Sequence, residues 1–146
     1  MVRDILFVTT VCLLFADPVR SEEDAKPTAR DDRFRRLVVG TWQDNYQGKR
    51  TMTLAADGTG RMVVELTGLK SRLFAPRLEF DMVWSLENGR LKKRTIKGTP
   101  ATQVQLILKA MGDRVDEAIL ELTDQRLLLL DGNGKTKYDW RRVAVE

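Results

Sequence analysis

The sequence predicts an all-β domain, an eight-stranded antiparallel up-and-down barrel with one short helix between strands five and six. In the stretch 77–86 every second residue from Leu78 to Leu86 is apolar, and the residues between them are polar except for Val83, which is typical of a strand with one buried face. Strand signals recur at short, regular spacing after residue 37, and short turns connect most of them. Successive antiparallel strands remove their exposed edges completely when they close into a barrel.

Residues 1–21 are typical of a secretory signal peptide. A short charged start precedes an apolar run over 5–16, and small residues stand where a signal peptidase would cut. Cleavage is expected after Ser21, with Ala16 as the second option. The apolar run is shorter than the ~20 residues that a membrane-spanning helix needs. We therefore expect an exported protein, periplasmic or extracellular, with no transmembrane segment in the mature chain.

Residues 22–36 are dense in charge, contain Pro27 and hold one large apolar residue, Phe34. A segment of this composition buries little apolar surface. We therefore expect a charged, flexible lead-in with at most a short turn of helix over 31–36. The barrel domain is then expected to cover residues 37–146.

The predicted strands are separated by residues that favour turns, such as the Asp57-Gly58 and Asn88-Gly89 dipeptides. The helix is predicted to begin at Thr99-Pro100 and to end at Gly112, because apolar residues recur at helical spacing between these signals. The eight strands are expected over 37–43, 51–56, 61–67, 77–86, 90–97, 117–123, 126–131 and 135–143.

The composition excludes several kinds of catalytic and metal-binding site from the expected mature chain. The sequence has no histidine, and its one cysteine, Cys12, lies in the expected signal peptide. Ser-His and Cys-His nucleophiles and zinc sites built from Cys and His are therefore not expected. The carboxylates of Glu65, Glu79 and Asp81 alternate with the apolar face and should meet water. We predict no enzyme activity, no catalytic residue, no metal site and no cofactor.

The net charge of +4 is small, and basic and acidic residues are interspersed through most of the chain. Such a pattern gives little indication of a surface that binds nucleic acid, so no nucleic-acid partner is expected. Lys92, Lys93, Arg94 and Lys97 form a basic strip. It could attract an anionic lipid surface, but it lacks interleaved aromatic residues, and a solvated edge strand is the preferred interpretation.

Four stretches carry a resemblance to a known family. Gly40-Thr41-Trp42 is similar to the GxW signature of the lipocalin and wider calycin group. The layout as a whole resembles bacterial lipocalin-like domains. The supporting stretches are LAADGTG over 54–60, WSLENGRL over 84–91 and the closing strand over 138–142. The resemblance spans roughly 37–143 and implies a small β-barrel.

In that family the GxW tryptophan packs across the closed end of the barrel, and an arginine of the last strand lies over it. The resemblance therefore implies a structural role for Gly40, Trp42 and Arg142, with Arg141 as the other arginine that could lie over the ring. The short helix between strands five and six, and the short hairpins, depart from the larger lipocalins.

The interior of such a barrel would be lined by inward-facing apolar and aromatic residues. We expect Leu54, Met62, Val64, Phe80, Met82, Trp84, Leu120 and Tyr138 in these positions. They would suit a bound ligand, and they would equally form a filled core. The leading hypothesis is an exported, non-enzymatic lipocalin-like protein that binds a small apolar ligand or lipid. The alternative is a filled-barrel module that binds a protein partner, for example as an inhibitor or accessory subunit of an exported enzyme.

Overall fold

The computed structural model describes residues 27–144. The segment interpreted as a signal peptide, with both of its candidate cleavage sites, lies outside these residues, so export stays a prediction. Within residues 27–144, no helix is long and apolar enough to cross a membrane. In the same range, no group of three or more Asp, Glu, His or Cys residues is placed to hold a metal ion.

Eight antiparallel strands form one closed barrel, in which each strand pairs with its neighbour in sequence. The first and last strands pair at Trp42–Arg142 and Gln43–Arg141, which closes the sheet. The predicted eight-stranded barrel is therefore confirmed. The strands are β1 (Gly40–Asn45), β2 (Lys49–Leu54), β3 (Thr59–Glu65), β4 (Arg77–Glu87), β5 (Arg90–Thr99), β6 (Arg114–Leu122), β7 (Arg126–Leu130) and β8 (Lys137–Arg142).

Connections between successive antiparallel strands lie alternately at the two ends of the barrel. We call the end with the β2–β3, β4–β5 and β6–β7 connections the base, and the opposite end the rim. The base connections are short hairpins, and two of them are the predicted Asp-Gly and Asn-Gly turns. Gly58, Asn88 and Gly89 have positive φ angles of 90°, 52° and 72°, as tight hairpin turns of this kind require.

A helix, α1 (Pro27–Val38), precedes the barrel and contacts β4 and β6. The Asp31 carboxylate is buried and accepts the backbone N–H groups of Asn88 and Gly89 at 2.7 and 2.9 Å. Helix α1 is thereby attached to the β4–β5 hairpin at the base. The expectation of a flexible segment through residue 36 is therefore wrong for residues 27–36, and β1 begins at residue 40, not 37, because α1 continues to Val38.

Two further helices lie in rim connections. Helix α2 (Gly68–Leu73) follows β3 and was not predicted, while α3 (Ala101–Met111) is the predicted helix between β5 and β6. Val104 of α3 is fully buried and packs with Ala75 and Leu78 in a small cluster. Gly98 allows this contact, because a Cβ there would lie 2.4 Å from the Glu79 carbonyl oxygen and 2.7 Å from Val104 Cγ1.

The main core lies inside the barrel and contains all three tryptophans. Half-buried side chains pack against it, among them Phe34 and Leu37 of α1. The core is a continuous apolar body that joins α1 to the strands. Its fully buried members are Val38, Trp42, Met52, Leu54, Leu86, Leu91, Leu127, Leu129 and Trp140, with Trp84 and Leu122 nearly so.

One predicted interior residue is outside the barrel. Leu120 is 45% exposed, because the register of the β6–β7 ladder shifts between Ile119 and Glu121. The extra residue at this β-bulge is left out of the pairing, which breaks the regular alternation of side chains. The inward position predicted for Leu120 is therefore wrong.

Candidate functional site

The base of the barrel is closed by Trp42 and Arg142. The Trp42 ring is fully buried, and its indole N–H donates to the Val38 carbonyl at 2.9 Å. The Arg142 guanidinium carbon lies 4.2 Å from the centroid of that ring, so Arg142, and not Arg141, makes the cation–π contact that the resemblance implied. Gly40 has a φ of 139°, and a Cβ there would lie 2.2 Å from Arg142 Nη1. The glycine therefore leaves room for the arginine.

Arg142 also ties three backbone segments together. Its guanidinium donates to the carbonyls of Leu37, Val39 and Asp124, the last two at 2.9 and 2.6 Å. These carbonyls belong to the end of α1, the start of β1 and the β6–β7 hairpin. Each of the three guanidinium nitrogens thus donates to a backbone carbonyl of the protein itself. The arrangement at the base is therefore structural.

A different set of side chains lines the interior on the rim side, with the 39% exposed Tyr46 at its edge. We call it the interior polar cluster, and it comprises four charged residues and three aromatic residues. All seven project from β1, β2, β5, β6 and β8 or from the β1–β2 turn. The members are Asp44, Tyr46, Arg50, Lys93, Glu117, Tyr138 and Trp140.

The first ion pair of the cluster joins Asp44 of β1 to Arg50 of β2, which face each other across the ladder. Arg50 Nε donates to Asp44 Oδ1 at 2.7 Å, and Arg50 Nη2 donates to Oδ2 at 2.5 Å. Asp44 is buried and Arg50 half-buried. Two parallel contacts of this kind hold both planar groups in one orientation.

Three aromatic rings surround the Arg50 guanidinium. Its central carbon lies 5.1 Å from the Tyr46 centroid, 5.1 Å from that of Tyr138 and 4.6 Å from that of Trp140. The two tyrosine rings meet edge to face, with centroids 4.9 Å apart and planes at 85°. Aromatic faces within about 6 Å attract a cation. The guanidinium therefore occupies an aromatic cage that also contains the Asp44 carboxylate.

The second ion pair joins Lys93 of β5 to Glu117 of β6, and both side chains are buried. Lys93 Nζ lies 3.0 Å from Glu117 Oε1, although Oε1 has no well-directed hydrogen bond. The attraction is therefore mainly Coulombic. Lys93 Nζ also donates to Met52 Sδ at 3.7 Å and lies 5.9 Å from the Trp140 ring. Lys93 is thus not part of a solvated basic strip, because its side chain points into the barrel.

Two groups of the cluster retain unused binding capacity. The Trp140 indole N–H is buried and has no hydrogen-bond partner among the described residues, and such a donor is costly unless something accepts from it. Burial raises the pKa of Tyr138 to about 12, and the charges of Asp131 and Glu117 act in the same direction. Tyr138 is therefore a neutral phenol at physiological pH that can donate a hydrogen bond. The cluster can bind a polar group by hydrogen bonds and cation–π contacts.

The sequence-predicted interior residues fall into three groups. Leu54 and Trp84 are buried in the main core, with Met62 and Tyr138 packed against it. Met82 is also buried. Val64 and Phe80 belong instead to the small cluster under α3. Only Tyr138 is a member of the interior polar cluster, and Leu120 is on the outside.

Trp84 has a structural role that the sequence pattern did not predict. Its indole N–H donates to the carbonyls of Ala55 and Thr59 at 3.0 and 3.1 Å. These carbonyls flank the β2–β3 hairpin at the base, so Trp84 fixes that turn. The side chain is nearly fully buried by the contact and is not available to a ligand.

Sequence reasoning missed the four charged residues of the cluster, because it took every inward side chain to be apolar. Their strand parity was the available signal. Lys93 is two residues from Leu91, and Arg50 is two residues from Met52, both of which are buried. Side chains two residues apart on a strand share a face. The pattern therefore placed these charges inside, although a buried charge is rare unless it is paired.

No model of a known protein family matches the sequence, and no curated protein matches it significantly. Among solved structures, the chain is similar to a lipocalin-like protein from Bacteroides uniformis ATCC 8492, with a TM-score of 0.52 and 14% sequence identity. The match covers 73% of this chain and 99% of that chain. At this identity the similarity shows the fold alone.

Proposed function

We propose that this chain, which folds as a lipocalin-like barrel, is an exported, non-enzymatic binding protein for one small amphipathic molecule that enters from the rim. The observation that carries the proposal is the interior polar cluster, which combines paired charges, aromatic faces and an unpartnered indole N–H. A barrel of eight strands can hold one small ligand or be filled by side chains. Export rests on the sequence pattern of residues 1–21.

The polar end of the ligand is proposed to contact the cluster. A carboxylate or similar group can accept from the Trp140 indole and pair with Arg50 or Lys93, replacing part of their present ion pairs. Because Asp44 and Glu117 already neutralise these cations, the ligand must compete with them. Such a site favours a ligand that brings its own charge or several hydrogen-bond acceptors.

The apolar end of the ligand is proposed to lie against inward residues that the protein covers incompletely. Met62, Val64 and Phe80 are half-buried, whereas the inward residues of the main core are almost fully buried. Met62 and Phe80 are opposite each other in the β3–β4 ladder. A fatty acid or a lipid of similar size has the required combination of chain and head group.

A binding role is preferred to catalysis because the charged groups of the cluster are held in pairs. General acid–base work requires a group that can give up or take a proton near the working pH. The Tyr138 phenol has a pKa of about 12, and the sequence contains no histidine. The proposed role of the four charges is to orient a polar ligand.

Native mass spectrometry tests the proposal on protein expressed from the complete coding sequence and recovered from its own compartment. The expected spectrum shows a retained amphipathic molecule and a processed N terminus. The double variant Asp44→Asn/Arg50→Gln should lose the molecule while keeping an uncharged pair in place. The control Arg126→Gln removes a guanidinium that pairs with Asp139 on the outer wall. This variant should retain the bound molecule. Turnover of substrate that is lost with Glu79→Gln or Asp81→Asn would contradict the non-enzymatic role.

A filled-barrel module that binds a protein partner is the second candidate. It is supported by the dense main core, in which all three tryptophans are buried, and by a depression of about 480 Å³ over the outer faces of β4, β5 and β6. A ligand-free spectrum, together with failure to bind fluorescent fatty acids, would favour this candidate. The outer-wall residues Ser85, Arg94 and Arg114 would then be the first positions to vary.

A further inference from the structure

The rim carries large apolar side chains that the protein does not cover. Leu69 and Leu73 of α2 are 69% and 65% exposed, and Leu106 and Met111 of α3 are 60% and 80% exposed. Phe74, at the end of α2, is also exposed. Both helices flank the small cluster that contains Ala75 and Val104, so these side chains belong to one end of the barrel. Exposed apolar groups that gather in one region mark an interaction site.

The two rim connections that carry these side chains together have a net positive charge. Residues 66–78 contain Lys70, Arg72 and Arg77 and no acidic residue. The connection between β5 and β6, residues 100–113, contains one basic residue, Lys109, and one acidic residue, Asp113. The exposed apolar groups of α2 are therefore accompanied by positive charge that no acidic residue of 66–78 neutralises, whereas α3 has Lys109 followed by Asp113.

The base differs from the rim both in its exposed apolar side chains and in its charge. Within residues 27–144, no large apolar side chain of the three base hairpins is exposed. Acidic residues are present there, namely Asp57, Glu87 and Asp124. In α1, basic side chains are mixed with Asp31 and Asp32. Exposed apolar side chains next to basic residues with no acidic residue in the same connection are thus specific to the α2 connection at the rim.

We propose that the rim docks on an anionic lipid bilayer, with the exposed side chains of α2 and α3 inserted among the acyl chains. Helices that lie in a membrane interface combine an apolar face with Lys and Arg at its edge. Basic residues next to such a face are attracted by anionic head groups. The docking goes beyond the proposed binding function, because it would hold even if the interior held no ligand.

A bilayer fits the rim better than a folded partner does. The apolar side chains lie on two separate short helices, α2 and α3. A fluid bilayer can accommodate both helices without a surface of complementary shape. A depression of about 700 Å³ between α3 and β5 has Ile96, Leu106 and Lys109 in its lining. An acyl chain with its head group near Lys109 has the chemistry to occupy it.

The test is flotation of the purified protein with vesicles of phosphatidylcholine alone or of equal parts phosphatidylcholine and phosphatidylglycerol. The N terminus is first determined by mass, because a retained apolar run at 5–16 would itself bind vesicles. We expect binding to the anionic vesicles and at least about tenfold weaker binding to the neutral ones. High salt should weaken the anionic binding.

Two rim variants and two matched controls assign the surface. Leu73→Ser/Met111→Ser removes apolar groups, and Lys70→Gln/Arg72→Gln removes charge; each should lower vesicle affinity about tenfold or more. The apolar control Val83→Ser/Leu120→Ser changes exposed side chains on the outer wall. The charge control Arg33→Gln/Arg36→Gln changes exposed residues of α1. Both controls should bind as the unaltered protein does, and circular dichroism checks that all variants are folded.

Three outcomes would overturn the proposal. The first is equal binding by rim variants and controls, which would place the contact elsewhere, including on a retained N terminus. The second is equal affinity for neutral and anionic vesicles. The third is absence of vesicle binding together with self-association that the Leu73→Ser/Met111→Ser variant abolishes, which would make the rim an interface between two copies of the chain.

Discussion

The two ends of the barrel use arginine and aromatic side chains for different purposes. At the base, Arg142 lies over Trp42 and donates to three backbone carbonyls. On the rim side, Arg50 lies among three aromatic rings and pairs with the Asp44 carboxylate. A ligand carboxylate can compete with the Asp44 carboxylate for Arg50, whereas Arg142 is held by carbonyls of three backbone segments. The comparison separates an end that holds the fold from an end suited to binding.

Surface character follows the same division. The base is covered by α1, whose Asp31 fixes the β4–β5 hairpin. The rim instead exposes apolar side chains of α2 and α3. Changes at the base should therefore cost stability, whereas changes of the exposed apolar side chains of α2 and α3 should leave stability almost untouched.

The largest loss of stability is expected from Trp42→Ala. The change empties the space under Arg142 and removes the hydrogen bond to Val38. Replacing a buried tryptophan by alanine typically costs about 4 kcal/mol. Urea denaturation should show this as a large fall in the transition midpoint. A loss below about 1 kcal/mol would contradict the structural role of the base.

The next largest effect is expected from Glu117→Gln, which leaves the Lys93 ammonium buried without its counter-charge. Breaking a buried pair on one side costs about 3 kcal/mol or more. The matched variant Lys93→Met/Glu117→Leu removes both charges and should recover to within about 1 kcal/mol of the unaltered protein. Denaturant unfolding measures both. A double variant no more stable than the single variant would show that the two charges are not coupled.

A smaller loss is expected from Asp31→Ala, which leaves the N–H groups of Asn88 and Gly89 without their acceptor. Hydrogen bonds to a charged group contribute about 2 kcal/mol. The neighbouring Asp32→Ala is a matched control, because the ion pair that Asp32 makes within residues 27–144 is an exposed one with Arg35. Its loss should cost about 0.5 kcal/mol or less. Equal losses in the two variants would contradict the attachment of α1 to the base.

Tyr138 should make stability fall at high pH. Its pKa is raised from 10.0 to about 12 in the folded protein, so the folded state holds the phenol proton more tightly than the unfolded state does. The stabilisation is complete below pH 10 and is lost as the pH rises to 12, by about 1 kcal/mol given the partial exposure of the ring. Unfolding of Tyr138→Phe across this range supplies the reference. Parallel curves for the two proteins would contradict the raised pKa.

The smallest effect on stability is expected from Leu73→Ser/Met111→Ser at the rim. Both side chains are largely exposed, and surface substitutions of this kind usually change stability by about 0.5 kcal/mol or less. Thermal unfolding is sufficient to detect a larger change. A loss comparable to that of Asp31→Ala would mean that these side chains support the fold, and the contrast between base and rim would fail.

The sequence predicted the barrel well because strand alternation and turn dipeptides are local signals. The same rule failed at Leu120, where a bulge in the β6–β7 ladder shifts the register. It also did not identify α1, because that helix has low hydrophobicity, and its described contacts, such as that of Asp31 with the hairpin 57 residues later, are tertiary. Local patterns contain no information about such partners.

The candidate site was less predictable than the fold. Parity placed Lys93 and Arg50 on the inner face, but only the closed barrel shows which carboxylate accompanies each charge. The Asp44–Arg50 pair is six residues apart and within reach of sequence reasoning, since a two-strand hairpin connects the two residues. The Lys93–Glu117 pair is separated by α3, so its register depends on how that connection folds.

Indole resonances give the most direct test of the contrast between base and rim, because each of the three tryptophans reports one location. The indole N–H groups of Trp42 and Trp84 are bonded to backbone carbonyls at the base, while that of Trp140 lies in the interior polar cluster without a partner. The spectrum is recorded by nitrogen-15 NMR during titration with dodecanoate, and Trp140→Phe assigns the third signal. We expect the Trp140 signal to move while the other two stay in place. An unmoved Trp140 signal, or equal movement of all three, would contradict a binding site on the rim side.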